Sequence, residues 1–252
     1  MIVLIGAGNL ATNLGKALLK AGFDIGQVYS RTEASAKALA SLLECSFTTD
    51  IASIRNDADL YIVSLKDSAF VSLADQITQG REHALFVHTA GSVPMDTFHC
   101  PRRGVLYPMQ TFSKNKDVNF KEIPVFIEAS QEEDLVALKQ IALRLSDSVY
   151  ELNSNDRRYL HLSAVFCCNF ANHCFALSEK LLKEHGGISF EVMLPLIDET
   201  TRKCHLMSPK EGQTGPAVRW DENVIDKHIS LLDESPKMQE IYKLMSQSIH
   251  EL

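Results

Sequence analysis

A chain of 252 residues, 45% hydrophobic and 23% charged, has the composition of an ordinary globular protein with room for a substantial core and one or two domains. Its formal net charge of −7 leaves no basic stripe for nucleic acid or an anionic membrane, and no uninterrupted apolar run approaches the length of a bilayer span. The six cysteines, Cys45, Cys100, Cys167, Cys168, Cys174 and Cys204, lack C-x-x-C spacing, so buried reduced thiols are expected, with neither disulfides nor a zinc site.

The first predicted strand, Ile2-Val3-Leu4-Ile5, is short, apolar and β-branched, as a strand covered on both faces must be. Its start at residue 2 leaves no room for a secretory leader, so a cytoplasmic protein is expected. The strand breaks into Gly6-Ala7-Gly8-Asn9-Leu10-Ala11. Gly6 permits a tight turn, Gly8 lets backbone approach a pyrophosphate, and Ala11 is small enough for helix to lie on strand. The helix from Asn9 to Lys20 turns its amide end toward that pyrophosphate, and Ala21-Gly22 ends it. A second strand, Ile25 to Tyr29, delivers Ser30-Arg31-Thr32 to the place of the adenine ribose. A free 2′-hydroxyl is normally held there by a carboxylate, whereas a 2′-phosphate needs a cation and hydroxyl donors. The expected cofactor is therefore NADP(H), bound by Gly6, Ala7, Gly8, Asn9, Leu10, Ala11, Ser30, Arg31 and Thr32.

A helix to about Glu44 follows, then a strand near Cys45 to Thr48, a brief helix over Asp50 to Asn56, and a strand over Asp59 to Leu65. Another helix, to Thr78, leads to a strand over Ala84 to His88. Further strands are predicted over Gly104 to Tyr107, Pro124 to Ala129 and Ser148 to Leu152, with a helix over Gln131 to Leu145. Strands alternating with helices imply an α/β fold with a mainly parallel sheet, whose ligands lie beyond the carboxyl ends of the strands. Leu65, Lys66 and Asp67, with Thr89, Ala90 and Gly91, should therefore border the cofactor crevice, and residues 1–152 form one domain.

From 153 to 252 only helices are predicted. Asn153 or Ser154 caps a long helix ended by Gly186-Gly187; Ser189 caps the next, which Pro195 should kink. A loop over Ser208 to Ala217 precedes a helix opened by Asp221 and a last one opened by Ser235-Pro236. The long helix is apolar nearly all round between Leu160 and Leu177, which suits burial in a bundle or a dimer interface. At about 100° per residue, His161, Cys168 and Asn172 fall almost on one line.

The glycine turn, Ser30-Arg31-Thr32 and the helical tail resemble the NADP-dependent 6-phosphogluconate and β-hydroxyacid dehydrogenases and pyrroline-5-carboxylate reductase. The whole chain more closely resembles uncharacterised bacterial Rossmann-like proteins with a helical carboxyl-terminal domain. That likeness rests on the turn, His88-Thr89-Ala90-Gly91-Ser92, Pro108-Met109-Gln110-Thr111-Phe112, His161 through Asn169, and Gln213-Thr214-Gly215-Pro216-Ala217-Val218-Arg219. It implies a doubly wound Rossmann sheet followed by an all-helical domain of the 6-phosphogluconate dehydrogenase type. The β-hydroxyacid dehydrogenases use a Lys and an Asn four residues apart on the first carboxyl-terminal helix. Here His161 is followed by Val165, and Asn169 by His173, so that pair is absent.

The function expected is NADP(H)-dependent transfer of hydride to or from a carbonyl, hydroxyl or imine of a small molecule held between sheet and helical domain. His161 is the candidate proton donor because imidazole can exchange a proton at neutral pH. Asn169 or Asn172 would hold the substrate oxygen, and Ser92, Gln110 and Arg219 would orient a polar group. The missing Lys and Asn keep open a second possibility, a protein that binds or senses NADP(H) without turning it over. A homodimer is expected under either, and no metal.

Overall fold

The computed structural model describes the whole chain, Met1–Leu252. Its centre is an eight-stranded sheet in the order β3-β2-β1-β4-β5-β6-β7-β8, comprising β1 (Ile2–Ile5), β2 (Ile25–Tyr29), β3 (Ser46–Thr48), β4 (Leu60–Val63), β5 (Leu85–His88), β6 (Arg103–Pro108), β7 (Val125–Ala129) and β8 (Val149–Glu151). All neighbours pair in parallel except β6 and β7. The order reverses between β1 and β4, the switch point at which a doubly wound sheet opens a crevice.

Strand alternation explains the two cores. Ile2 and Leu4 of β1 face α1 (Asn9–Lys20), α2 (Glu33–Leu43) and, further along the sheet, α4 (Glu132–Leu145), packing with Leu14, Leu18, Leu39 and Leu138. Val3 and Ile5 face the opposite way, into a cluster with Tyr61, Phe86 and the Phe70 and Ile77 side chains of α3 (Asp67–Thr78). Both faces are covered, so the parallel strands can be apolar throughout. The brief helix foreseen over Asp50 to Asn56 shrinks to one 3-10 turn, Ile51–Ser53, capped by the Asp50 carboxylate on the Ala52 amide.

After Glu151 the chain is helical: α5 (Ser154–Ala164), a π-helical turn (Val165–Phe170), α6 (Ala171–Glu184), α7 (Leu194–Lys203), α8 (Glu222–Ser230) and α9 (Pro236–Glu251). Asn153 caps α5 by accepting from the Asp156 amide at 3.0 Å. Pro195 does not kink a helix; it stands in the first turn of α7, where its missing N–H costs nothing. Two compact units result, Met1–Cys168 and Asn169–Leu252, so the sheet and all of α5 belong to the first.

Two expectations for the long helix need correction. Ser154–Glu184 is 31 residues long, and on length and composition alone it could cross a bilayer, yet none of its most apolar window is buried. Leu162, Phe166 and Phe170 stand half or more exposed, and with them Cys167, Cys168 and Cys174; Cys204 is exposed as well, leaving only Cys100 buried. The six thiols are free. The π turn also breaks the assumed angular step, because i→i+5 bonding fits more residues into one turn. His161 before it and Asn172 after it therefore do not share the line that a uniform α-helix would draw.

Candidate active site

Gly6 lies just beyond β1 at φ 115°, and a Cβ there would sit 2.1 Å from the Ser64 carbonyl oxygen. Only glycine tolerates both conditions. Gly8 is extended and precedes α1, and nothing lies within 4 Å of where its Cβ would be. No side chain caps α1 and no carboxylate stands in its first turn, so its leading amides remain able to bind an anion. Ala7 and Ala11 are buried, Ala11 in the core between α1 and the sheet; Leu10 packs against the same core. The Asn9 side chain is committed elsewhere, donating to the Phe112 carbonyl at 3.0 Å. Asn13 similarly donates to Ser113 at 3.1 Å, which ties the connection after β6 along the start of α1.

Ser30, Arg31 and Thr32 leave the end of β2. The Ser30 amide donates to the Thr48 carbonyl at 3.2 Å, and Thr32 is the residue before α2. Arg31 is exposed and enters no ion pair. A turn whose first glycine admits no side chain, an uncapped helix start and an unpaired guanidinium past the neighbouring strand together fit a dinucleotide with a phosphorylated ribose.

Across the switch point, Leu65 packs into the second core cluster, Lys66 is exposed just before α3, and the Asp67 carboxylate accepts from the Ser92 hydroxyl. Thr89 is buried and its amide donates to the Val63 carbonyl at 3.1 Å. The Ala90 amide donates to Nδ1 of His88 at 3.2 Å. His88 is buried among Phe70 and Phe98, and burial depresses its pKa to about 3, with the Arg157 charge adding to the effect. Its Nε2 has no hydrogen-bond partner, though the Pro94 carbonyl opposes part of the depression.

Gly91 is the contact on which this end is built. A Cβ at Gly91 would come within 2.5 Å of His161 Nδ1, so the imidazole of α5 lies directly against glycine backbone beyond β5. That nitrogen is 3.2 Å from the hydroxyl of Tyr107 on β6, the two rings meeting edge to face at 6.2 Å. Burial pushes the Tyr107 phenol upward, Cys168 adds to the rise, and the Arg157 charge pulls it down.

One turn before His161, Arg157 fixes where α5 sits. Its side chain is fully buried, pairs with Glu128 of β7, and donates to the Val93 carbonyl at 2.6 Å. Ser154 completes the network: its amide and hydroxyl donate to the two Glu128 oxygens at 3.0 and 2.7 Å, while its oxygen accepts from the Met95 amide at 2.9 Å. A buried guanidinium is tolerable only when so paired. Neither Tyr107 nor the Glu128–Arg157 pair was singled out from sequence. The available signals were a carboxylate inside the apolar strand Val-Phe-Ile-Glu-Ala and an arginine four residues before the histidine.

Thus Ser92, Gly91, Tyr107 and His161 all belong to the first unit. Gln110 is exposed, and its Oε1 turns back to accept from the Thr111 amide and hydroxyl at 2.8 and 3.2 Å. Asn169, Asn172 and Arg219 are exposed residues of the second unit. No group of three or more His, Cys, Asp or Glu side chains is placed to hold a metal ion.

Residues 123–249, just over half of the chain, match the domain of unknown function DUF2520. The chain belongs to the DUF2520 family. Residues 1–91 of this DUF2520 protein match the family described as NADP oxidoreductase, coenzyme F420-dependent, so the cofactor class of its sheet domain is NADP(H) and its general chemistry is NAD(P)-dependent oxidoreduction. A Bacteroides fragilis protein described as a "putative NADP oxidoreductase" is 59% identical, with all of this chain and 98% of that one covered and a TM-score of 0.94. A Thermotoga maritima protein (21% identity, all of both chains, TM-score 0.80) shares the fold. So does an imine reductase from Myxococcus stipitatus in complex with NADP+ (16% identity, all of this chain and 93% of that one, TM-score 0.74). No curated protein matches the chain.

Proposed function

We propose that this DUF2520 protein is an NADPH-dependent reductase of a small carbonyl or imine, also able to run as a dehydrogenase, with His161 as the proton-bearing contact for the reacting heteroatom. The observation that carries this reading is the seat of His161 on Gly91. In a doubly wound sheet the first mononucleotide half, β1 to β3, takes the adenosine end, and the half from β4 to β6 takes the nicotinamide end. His161 lies against the loop after β5, in that second half.

In this scheme Gly6, Gly8 and the leading amides of α1 hold the pyrophosphate, and Arg31 with Ser30 and Thr32 holds the 2′-phosphate. Lys66, Asp67, Thr89 and Ala90 border the crevice, with Ser92 fixing Asp67. The bound cofactor supplies hydride, while the protein supplies position, exclusion of water and a proton. The protein acts in the cytoplasm as a homodimer. Support for the dimer comes from the exposed Leu194, Leu196, Leu206, Leu231 and Leu244 of the second unit, apolar side chains that a partner would cover.

The test is NADPH oxidation over a panel of small carbonyls and imines, with wild type and His161→Ala in parallel. A substrate reduced by wild type and slowed at least tenfold in the variant, the size expected for loss of a positioned acid, supports the assignment. Activity within about threefold of wild type would remove His161 from the proton step. Tight NADPH binding without turnover of any compound would point to a binding or sensing protein. Light scattering at micromolar concentration tests the dimer, which a clean monomer would refute.

A further inference from the structure

We infer that Tyr107 is a positioning residue that holds His161 as its Nε2–H tautomer and stands behind it as a proton relay, with the buried Arg157–Glu128 pair keeping the two rings in register. The inference rests on the assignment of His161 as the proton-bearing contact and goes beyond it, because it says which ring nitrogen faces the chemistry and where the replacement proton comes from.

The geometry begins with one hydrogen bond. At 3.2 Å from the phenol oxygen, His161 Nδ1 either accepts from the hydroxyl or, when Nδ1 itself carries a proton, donates to it. Tyr107 is 8% exposed and its phenol is pushed above its ordinary range, so at neutral pH the hydroxyl keeps its proton, and His161 Nδ1 is the one side-chain atom placed to accept it. Nδ1 is then an acceptor, and the neutral ring must carry its proton on Nε2. Gly91 backbone packs against the Nδ1 edge, leaving Nε2 as the ring nitrogen not occupied by this contact. Leu106 of β6 belongs to the α1 and α4 core, so Tyr107 points to the other face of the sheet, where its ring lies tilted beside Phe126, the residue opposite it on β7.

Arg157 of α5 lies close enough to favour the phenolate, Cys168 in the π turn disfavours it, and Glu128 of β7 is committed to Arg157 and Ser154. A neutral imidazole that surrendered its Nε2 proton alone would become an imidazolate, which is costly. The relay avoids that. As a carbonyl carbon gains hydride and its C–O π bond becomes a lone pair on oxygen, that oxygen takes the Nε2 proton while the phenol proton crosses to Nδ1. The ring stays neutral, the negative charge ends on the Tyr107 oxygen beside Arg157, and solvent later returns one proton. For an imine the nitrogen takes the place of the carbonyl oxygen.

Tyr107→Phe removes the hydroxyl while preserving the ring. The first readout needs no turnover: ¹⁵N NMR of the cofactor-free protein, with His161 assigned by its loss in His161→Gln. Wild type is expected to show protonated Nε2 and unprotonated Nδ1, and Tyr107→Phe a mixture of tautomers. The second is the ultraviolet tyrosinate titration, in which one of the steps raised by burial disappears in Tyr107→Phe and moves in His161→Gln. In turnover, Tyr107→Phe should lower kcat roughly 10- to 100-fold, as loss of an assisting proton group does, with the NADPH Kd unchanged within about twofold. An unaltered Nε2–H tautomer in Tyr107→Phe, or an Nδ1–H tautomer in wild type, overturns the relay even if His161 proves essential. Should the tautomer shift as stated while neither variant affects turnover, the failure lies with the role given to His161.

Discussion

The two ends of the crevice are built by different means. At the β1–α1 end the site is backbone: Gly6 at φ 115°, an open Gly8 and uncapped amides, all within a few residues of one another in sequence. At the β5 end it is side chains, with Tyr107 and His161 meeting across 54 residues of chain because Arg157 and Glu128 hold α5 to the sheet. The first kind of site is specified by local conformation and tolerates change in the surrounding protein. The second depends on a buried ion pair and is only as precise as that pair.

Substitutions should separate the ends. Glu128→Ala, which strands the fully buried Arg157 charge, is expected to have the largest effect, a loss of about 3–5 kcal/mol in denaturant unfolding. Replacing both partners with apolar residues should recover much of that stability without recovering turnover, because the Ser154 and Val93 anchors of α5 go with the pair. At the other end, Gly6→Ala forces a Cβ onto the Ser64 carbonyl and should weaken NADPH binding on the order of 100-fold in calorimetry, with far-ultraviolet circular dichroism confirming the fold. Arg31→Ala should cost NADPH roughly tenfold or more in Kd while leaving NADH within about twofold, as loss of a charge-assisted contact to one phosphate requires. A variant equally weakened for both cofactors would detach Arg31 from the 2′-phosphate.

Gly91→Ala belongs to the histidine end. Its Cβ must displace the imidazole, so kcat should fall about tenfold while the NADPH Kd holds, a split opposite to that of Arg31→Ala. His88 gives a test that needs no cofactor. Its folded pKa of about 3 lies below the ordinary histidine value, so the unfolded chain binds the extra proton first as pH falls. The stability this represents is whole above about pH 6.5 and drains by about 1.4 kcal/mol per pH unit on the way down to its folded pKa. His88→Phe should flatten that acid limb, and an unchanged slope would assign it to carboxylates alone.

What could be read along the chain follows the same division. The glycine turn, the alternating strands and helices and the caps at Asn153 and Asp221 were legible because each depends on neighbours a few positions away. The line drawn through His161, Cys168 and Asn172 failed because one π turn changes the angular step, and no residue type announces that turn. The buried thiols were misjudged for a related reason. Apolar surroundings in sequence indicate that a helix seeks cover, whereas Cys167, Cys168 and Cys174 lie on a face that a single chain leaves open.

Sequence alone thus determined the nucleotide-binding fold and the cofactor class, since the first turn is a local feature that depends on a glycine whose φ no other residue adopts readily. Tertiary structure alone decided that Tyr107 meets His161, which of its nitrogens is engaged, and that Arg157 lies beneath them. Hydrogen bonds between distant side chains depend on strand register and helix placement, and those are settled only when the sheet and α5 pack together.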